Sequence, residues 1–248
     1  MSAEVLPGCE PFSHEGSVDG VLVLHGFTGN PTSMRPLAEA AAAVGYSVEL
    51  PRLPGHGTSV EDMVGTRFAD WLVEAEAAYG RLAARGGRVA VVGLSMGGTL
   101  AVRLAETRPV AGAALINPLV KTQPEMLEGI GQLLEAGLST VEAIGSDIKR
   151  EGMRELSYDA TPLASAHSLF TSLAEVEADL ARVACPVLLL SSREDHVVPP
   201  ENGDLLAATV TGPLERVWLE DSYHVATLDN DRDLVEGAVV GFLARVLA

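Results

Sequence analysis

Residues 88–106, RVAVVGLSMGGTLAVRLAE, decide the fold. A short β-branched run stops at Gly93, Ser95 follows two residues later, and a helical pattern begins almost at once. Strand, sharp turn and helix in this order are the setting in which G-x-S-x-G, here Gly93-Leu94-Ser95-Met96-Gly97, makes a nucleophile elbow. The turn is too tight for side chains at Gly93 and Gly97, and Gly98 lets the following helix pack close to neighbouring backbone. Such a turn holds Ser95 Oγ clear of the main chain, at a helix N-terminus whose amide dipoles favour a developing anion. The five-residue motif alone occurs by chance. Its flanking strand and helix give it weight.

Outward from this segment, apolar runs alternate with helical patterns, which predicts an α/β fold with a mostly parallel central sheet flanked by helices. Strands are expected at 21–25, 47–50, 88–92, 112–116, 187–191 and 214–219. Helices are expected at 32–44, 68–85, 96–106, 169–183, 200–208 and 232–247. A chain of 248 residues is long enough to bury one large core. One stretch, 119–166, breaks the rhythm. Within it EMLEGIGQLLEAG (125–137) places Met126, Leu127, Ile130, Leu133 and Leu134 at helical spacing. An excursion of this length exceeds a plain connection. It reads as a small cap, 119–166, inserted into a core made of 1–118 and 167–248, with an ordinary pair of surface helices as the alternative.

Composition excludes some partners. No apolar run is long enough to span a bilayer, so stable membrane insertion is not expected. The 34 acidic residues outnumber the 17 basic ones and leave a net charge of −17, which disfavours nucleic acid and anionic membrane surfaces. Residues 1–16 lack the basic start and apolar stretch of a secretory signal, and a cytoplasmic location is the expectation. Cys9 and Cys185 form no metal or redox motif, and Cys185 reads as a small core residue.

A serine nucleophile needs a base for its proton, an acid to orient that base, and donors for the oxyanion. After an elbow serine the chain order is acid, then histidine. The run PVLLLSSREDHVVPP (186–200) ends a strand and sets Asp195 just past its tip, where the sites of open α/β sheets gather. Glu194 is the nearest rival. LERVWLEDSYHVATLDND (214–231) places His224 in the loop before the last helix. Order, loop position and an upstream acid favour His224 as the base over the ordinary reading of a lone histidine as structural. His196 reads as a loop-packing residue. His14, His56 and His167 show no metal-ligand spacing, and neither a metal nor a cofactor is expected. LVLHGFTGNP (22–31) follows the first strong strand, and its glycines let the backbone aim an amide at an acyl oxygen. The expected oxyanion donors are the N–H groups of Phe27 and Met96, with His25 bracing the loop.

These pieces resemble the α/β-hydrolase superfamily across nearly the whole chain. More narrowly, HGFTGNPTSMRPLAEA (25–40), LPRLPGHGT (50–58), GLSMGGTL (93–100), GSDIK (145–149), EDHVVPP (194–200) and SYHVATLDND (222–231) resemble bacterial monoacylglycerol lipases and related carboxylesterases. The resemblance implies a serine esterase that cleaves monoacylglycerol, a small-molecule lipid ester, to glycerol and fatty acid through an acyl-enzyme. It implies a small mobile cap in which Ile144 and Glu155 meet the glycerol head. A carboxylate such as Glu155 suits hydroxyl donors, although a solvated helix residue is its other reading. Leu119, Met126, Ile130, Leu133 and Leu134 either line an acyl tunnel or simply pack on the main domain. The chief alternative is a short- or medium-chain carboxylesterase without glycerol selectivity. Ser95 argues against a dehalogenase or epoxide hydrolase, whose nucleophile is Asp, whereas thioesterases, acyltransferases and cofactor-free haloperoxidases share this triad. A dinucleotide-binding domain wants G-x-G-x-x-G and an acid ending the next strand, where Asn117 stands. A non-catalytic scaffold on this fold is the remaining class, and it often lacks a triad member.

Overall fold

Valine- and leucine-rich runs form one seven-stranded sheet in the computed structural model, which describes residues 4–248. Its strands are β1 (Phe12–His14), β2 (Gly20–Leu24), β3 (Ser47–Leu50), β4 (Val89–Leu94), β5 (Gly112–Ile116), β8 (Val187–Ser192) and β9 (Leu214–Leu219). β6 (Thr140–Glu142) and β7 (Ala160–Pro162) make a separate antiparallel pair. The helices are α1 (Arg35–Ala43), α2 (Val60–Val64), α3 (Phe68–Ala83), α4 (Met96–Thr107), α5 (Pro124–Glu135), α6 (Leu163–Asp179), α7 (Glu201–Thr209) and α8 (Arg232–Val246). The strand order is β1-β3-β2-β4-β5-β8-β9, and only β1 runs antiparallel to its neighbour.

Strands β2, β4, β5 and β8 are buried at every position. Helices cover both faces, so neither side of these strands needs polar residues. The two-residue period of the strands divides the core. Leu22, Leu24, Val89 and Val91 pack with Trp71 and Leu100 on one face. Val21, Val23, Ala90 and Val92 pack with Leu37 and Phe242 on the other. The chain leaves β2 for β3 on one side and then crosses to β4 on the other. The loops after β2 and β4 therefore flank the switch point where open α/β sheets bind ligands. Among the described residues no helix is long and apolar enough to cross a membrane.

Four elements lie outside the strands and helices expected from sequence: β1, α2, β6 and β7. Each is five residues or shorter, with too little periodicity to register. The helix expected at 169–183 instead starts at Leu163 and gives way to a 3-10 turn at Leu180–Arg182. Serines hide its first turns. Ser165 is buried because its hydroxyl donates to the carbonyls of Met63 (2.8 Å) and Thr66 (2.9 Å).

Between the paired strands β5 and β8 the chain makes a long excursion through α5, the β6–β7 hairpin and α6. Ile130, Leu163 and Ala166 form a small apolar cluster there, with Phe27, Leu134, Val141 and Phe170 packed against it. From Leu169 onward, α6 joins the main core.

The β4–α4 elbow is a close-packed junction. A Cβ on Gly97 would stand 2.2 Å from the Leu24 carbonyl oxygen, and one on Gly93 would stand 2.2 Å from the Gly97 carbonyl oxygen. Both obstacles are backbone and cannot swing away. Gly97→Ala should cost at least about 2–3 kcal/mol through overpacking. For a domain of this size it should lower Tm by roughly 5–10 °C in a thermal melt. A wild-type Tm would mean that β2 can move away from α4.

Candidate active site

Ser95 links β4 to α4 with φ 55° and ψ −120°, a conformation that L side chains rarely adopt. Its backbone is tied on both sides. The N–H donates to Ile116 O (3.0 Å), and the carbonyl accepts from Thr99 (3.1 Å) and Leu119 (3.3 Å). The serine is thereby fixed at the ends of both β4 and β5.

His224 lies in the loop after β9 and is almost fully buried. Its Nδ1 donates to Asp195 Oδ2 at 2.8 Å, which leaves Nε2 available to a substrate or nucleophile. Asp195 follows β8, and its Oδ1 accepts the N–H groups of Val197 (2.9 Å) and Val198 (2.7 Å). Glu194 faces away. Its side chain is mostly exposed and lies 3.6 Å from Lys149 Nζ. Burial pulls the His224 imidazolium down, but the hydrogen bond and charge of Asp195, aided by Glu155 and Asp147, outweigh it. The net pKa is raised.

Phe27 and Met96 stand on the two loops beside this pair. Among the described residues neither of their N–H groups is taken by a backbone or side-chain acceptor. The Phe27 loop passes close over the serine, since a Cβ on Gly26 would lie 3.5 Å from Ser95 Cβ. His25 braces this loop as a neutral ring. Its Nδ1 donates to Gly26 O (3.0 Å), and its Nε2 accepts the Leu53 N–H (3.2 Å). Burial drives the His25 pKa down to about 4.

Of the two candidates in the 119–166 stretch, the structure brings in one. The Glu155 carboxyl lies beside the Phe27 loop, where Oε1 is 2.8 Å from the position a Cβ on Gly29 would take. Burial raises the Glu155 pKa, against the opposing pull of His224 and Ser33. Ile144 is 77% exposed and stands out in solvent. Among the apolar residues of that stretch, Leu119 and Ile130 are buried, whereas Met126 and Leu133 are exposed.

Three residues near the site carry roles the sequence did not reveal. Asn117 directly follows β5 with φ 42°. Its side chain accepts the Ser192 N–H (2.8 Å) and donates to Ser192 Oγ (3.0 Å) and His224 O (2.8 Å). Asp147 accepts the His224 N–H, and the fully buried Asp229 accepts the Tyr223 N–H. The only sequence signal for Asn117 is a residue type that tolerates positive φ at a strand end. Asp147 and Asp229 sit in GSDIK and LDND, but their partners are distant in sequence. Among the described residues no cluster of His, Cys, Asp and Glu converges to hold a metal ion.

The alpha/beta hydrolase family profile matches residues 21–237. A thermostable monoacylglycerol lipase of Bacillus sp. (strain H-257) is 46% identical over 97% of this chain and 96% of its own. A carboxylesterase of Bacillus subtilis (strain 168) is 30% identical over 96% of this chain and 97% of its own. A solved chain from work on two metagenome-derived lipolytic enzymes superposes with a TM-score of 0.93. It shares 44% identity and covers 98% of this chain and 100% of its own. With a strand–serine–helix elbow at the sheet's switch point and a matching profile over most of its length, the chain belongs to the alpha/beta hydrolase family.

Proposed function

We propose that this protein is a serine carboxylic-ester hydrolase that cleaves monoacylglycerol to glycerol and a free fatty acid. The observation that carries the chemistry is the buried His224–Asp195 hydrogen bond on loops that converge on the Ser95 elbow. The substrate class draws on the 46% identity to a monoacylglycerol lipase. His224, held in one tautomer by Asp195, takes the Ser95 proton as Oγ attacks the ester carbonyl. The oxyanion rests on the Phe27 and Met96 amides, each of which contributes roughly 3–4 kcal/mol to the transition state. Glycerol leaves with the proton from His224. Water then attacks the acyl-enzyme by the same route and releases the fatty acid. Every step uses protein groups, and none calls on a cofactor.

Residues 119–166 act as a cap on a core made of 1–118 and 167–248. This reading is supported by the apolar cluster that joins α5, the hairpin and the first turn of α6 to Phe27. Glu155 accepts hydrogen bonds from the glycerol hydroxyls. Leu119 and Ile130 border the acyl chain. Two unpaired cysteines support a cytoplasmic location. The net charge of −17 argues against nucleic acid as a partner.

The 30% identical carboxylesterase favours a second reading, ester hydrolysis without glycerol selectivity. Initial rates on monolaurin, dilaurin, trilaurin and ethyl laurate separate the two, with Ser95→Ala as the inactive blank. Monolaurin should be preferred over all three others. Equal rates on monolaurin and ethyl laurate would leave a general carboxylesterase, and a fully active Ser95→Ala would remove the triad. Glu155→Gln should lose roughly ten- to a hundredfold in kcat/KM on monolaurin, the size of a charged hydrogen bond. Its loss on ethyl laurate should be much smaller.

The pH profile gives a further check. The base works only when neutral, so activity falls as pH drops through the His224 pKa, which is raised. Glu155 contributes to that rise. Glu155→Gln should therefore shift the acid limb of kcat/KM to lower pH. An unmoved limb would show that the Glu155 charge does not reach His224.

A further inference from the structure

We propose that Asp147 is a positioning residue that fixes the backbone of His224 from the cap side and joins the Glu155-bearing segment to both loops of the acid–base pair. The proposal rests on the reading of Ser95, Asp195 and His224 as a catalytic triad. Asp147 Oδ2 accepts the backbone N–H groups of His224 (3.1 Å) and His196 (3.2 Å). Its Oδ1 accepts the Nδ1–H of His196 at 2.8 Å, and its carbonyl accepts the Val225 N–H at 3.1 Å. His196 directly follows the acid Asp195. One carboxylate, with its side chain 11% exposed, therefore grips the main chain beside the acid and the main chain of the base.

The neighbouring contacts make this grip stiff. Asp229 is fully buried. It accepts the N–H groups of Lys149, Arg150, Tyr223 and Asn230, each at 2.8 Å. Residues 147–150 are thus stitched along the histidine loop, and Ile148 packs on the core beneath them. The His196 ring stands edge-on to Tyr223, with centroids 4.6 Å apart. On the other side, Ser146 Oγ accepts the Glu155 N–H at 2.9 Å. The residue that reads the leaving group and the residue that moves the proton hang from the same short segment.

Three N–H donors converge on the Asp147 carboxylate, which has only acceptors to offer. Asn would turn an NH2 group towards one of those donors. When the grip is lost, Nε2 of His224 shifts relative to Ser95, and a displacement of about 1 Å can cost on the order of a hundredfold in rate.

The test measures kcat and KM on p-nitrophenyl butyrate per active site titrated with a fluorophosphonate, alongside the low-field proton NMR resonance of His224 Nδ1–H. The variants are Asp147→Ala, Asp147→Asn and His196→Ala, each also melted thermally. Asp147→Ala should lower kcat about 30- to 100-fold with KM little changed, and should shift or broaden the resonance. Asp147→Asn should do the same to a smaller degree. Should the Asp147 variants fail to fold, His196→Ala removes an exposed side chain and should still move the resonance and lower kcat. A folded variant with wild-type kcat per titrated site and an unmoved resonance would overturn the proposal, whatever its Tm. Wild-type enzyme that fails to react with the fluorophosphonate at Ser95 would overturn the triad reading itself, and this proposal with it.

Discussion

The backbone of Ser95 is the constraint on which the rest depends. A side chain at φ 55° costs about 1–3 kcal/mol and persists only where its surroundings over-determine it. Here they do. Gly97 touches the end of β2, Gly93 touches Gly97, and the Ser95 peptide groups are bonded to the ends of β5 and the loop after it. Thr28, Ser95 and Asn117 are the non-glycine residues with positive φ among the described residues. They follow β2, β4 and β5, which are adjacent strands. Backbone strain is thus confined to one end of the central sheet, and the core that resists it is the wholly buried set of strands behind.

Around that point the fold satisfies buried carboxylates with backbone amides instead of cations. Asp195 takes two N–H groups and one imidazole, and Asp229 takes four N–H groups. This differs from the surface, where arginines pair with exposed acids such as Glu215 and Asp233. An amide donor is fixed by the main chain, whereas an arginine must be ordered first. A carboxylate bonded this way also fixes the loops that supply its donors. Asn117 serves the same end from the tip of β5, reaching Ser192 near Asp195 and the carbonyl of His224.

Much of this was legible in the sequence. The expected strands 112–116 and 214–219 coincide with β5 and β9, because β-branched and leucine runs carry their own signal. The elbow was legible because its glycines are local. Chain order brings Asp195 and His224 forward together, the two are hydrogen-bonded, and burial of Asp195 against exposure of Glu194 separates those two neighbours. What stayed hidden depends on long-range contact. Ser165 looks polar until its hydroxyl meets the Met63 and Thr66 carbonyls about a hundred residues away. Asp147 looks like a solvated charge until it meets His224, 77 positions on. No local period or propensity encodes such pairs.

Three buried histidines show how burial and a neighbouring carboxylate set opposite protonation tendencies. Burial disfavours the charged ring at all of them. His25 is driven down to about 4, and His56, which also feels His25, falls well below its ordinary value. Both remain neutral across the physiological range and pack edge-on in an aromatic group with Phe27 and Trp71, which shapes the floor of the Phe27 loop. His224 is buried too, yet Asp195 holds one nitrogen and helps to raise its pKa instead. Asp195 at 2.8 Å, with the Glu155 and Asp147 charges nearby, therefore favours the protonated form of this buried ring where His25 and His56 stay neutral. Glu155 adds its charge to the same side of that balance. In the proposed reaction this makes recognition of the leaving group and basicity of His224 two effects of the one Glu155 carboxyl.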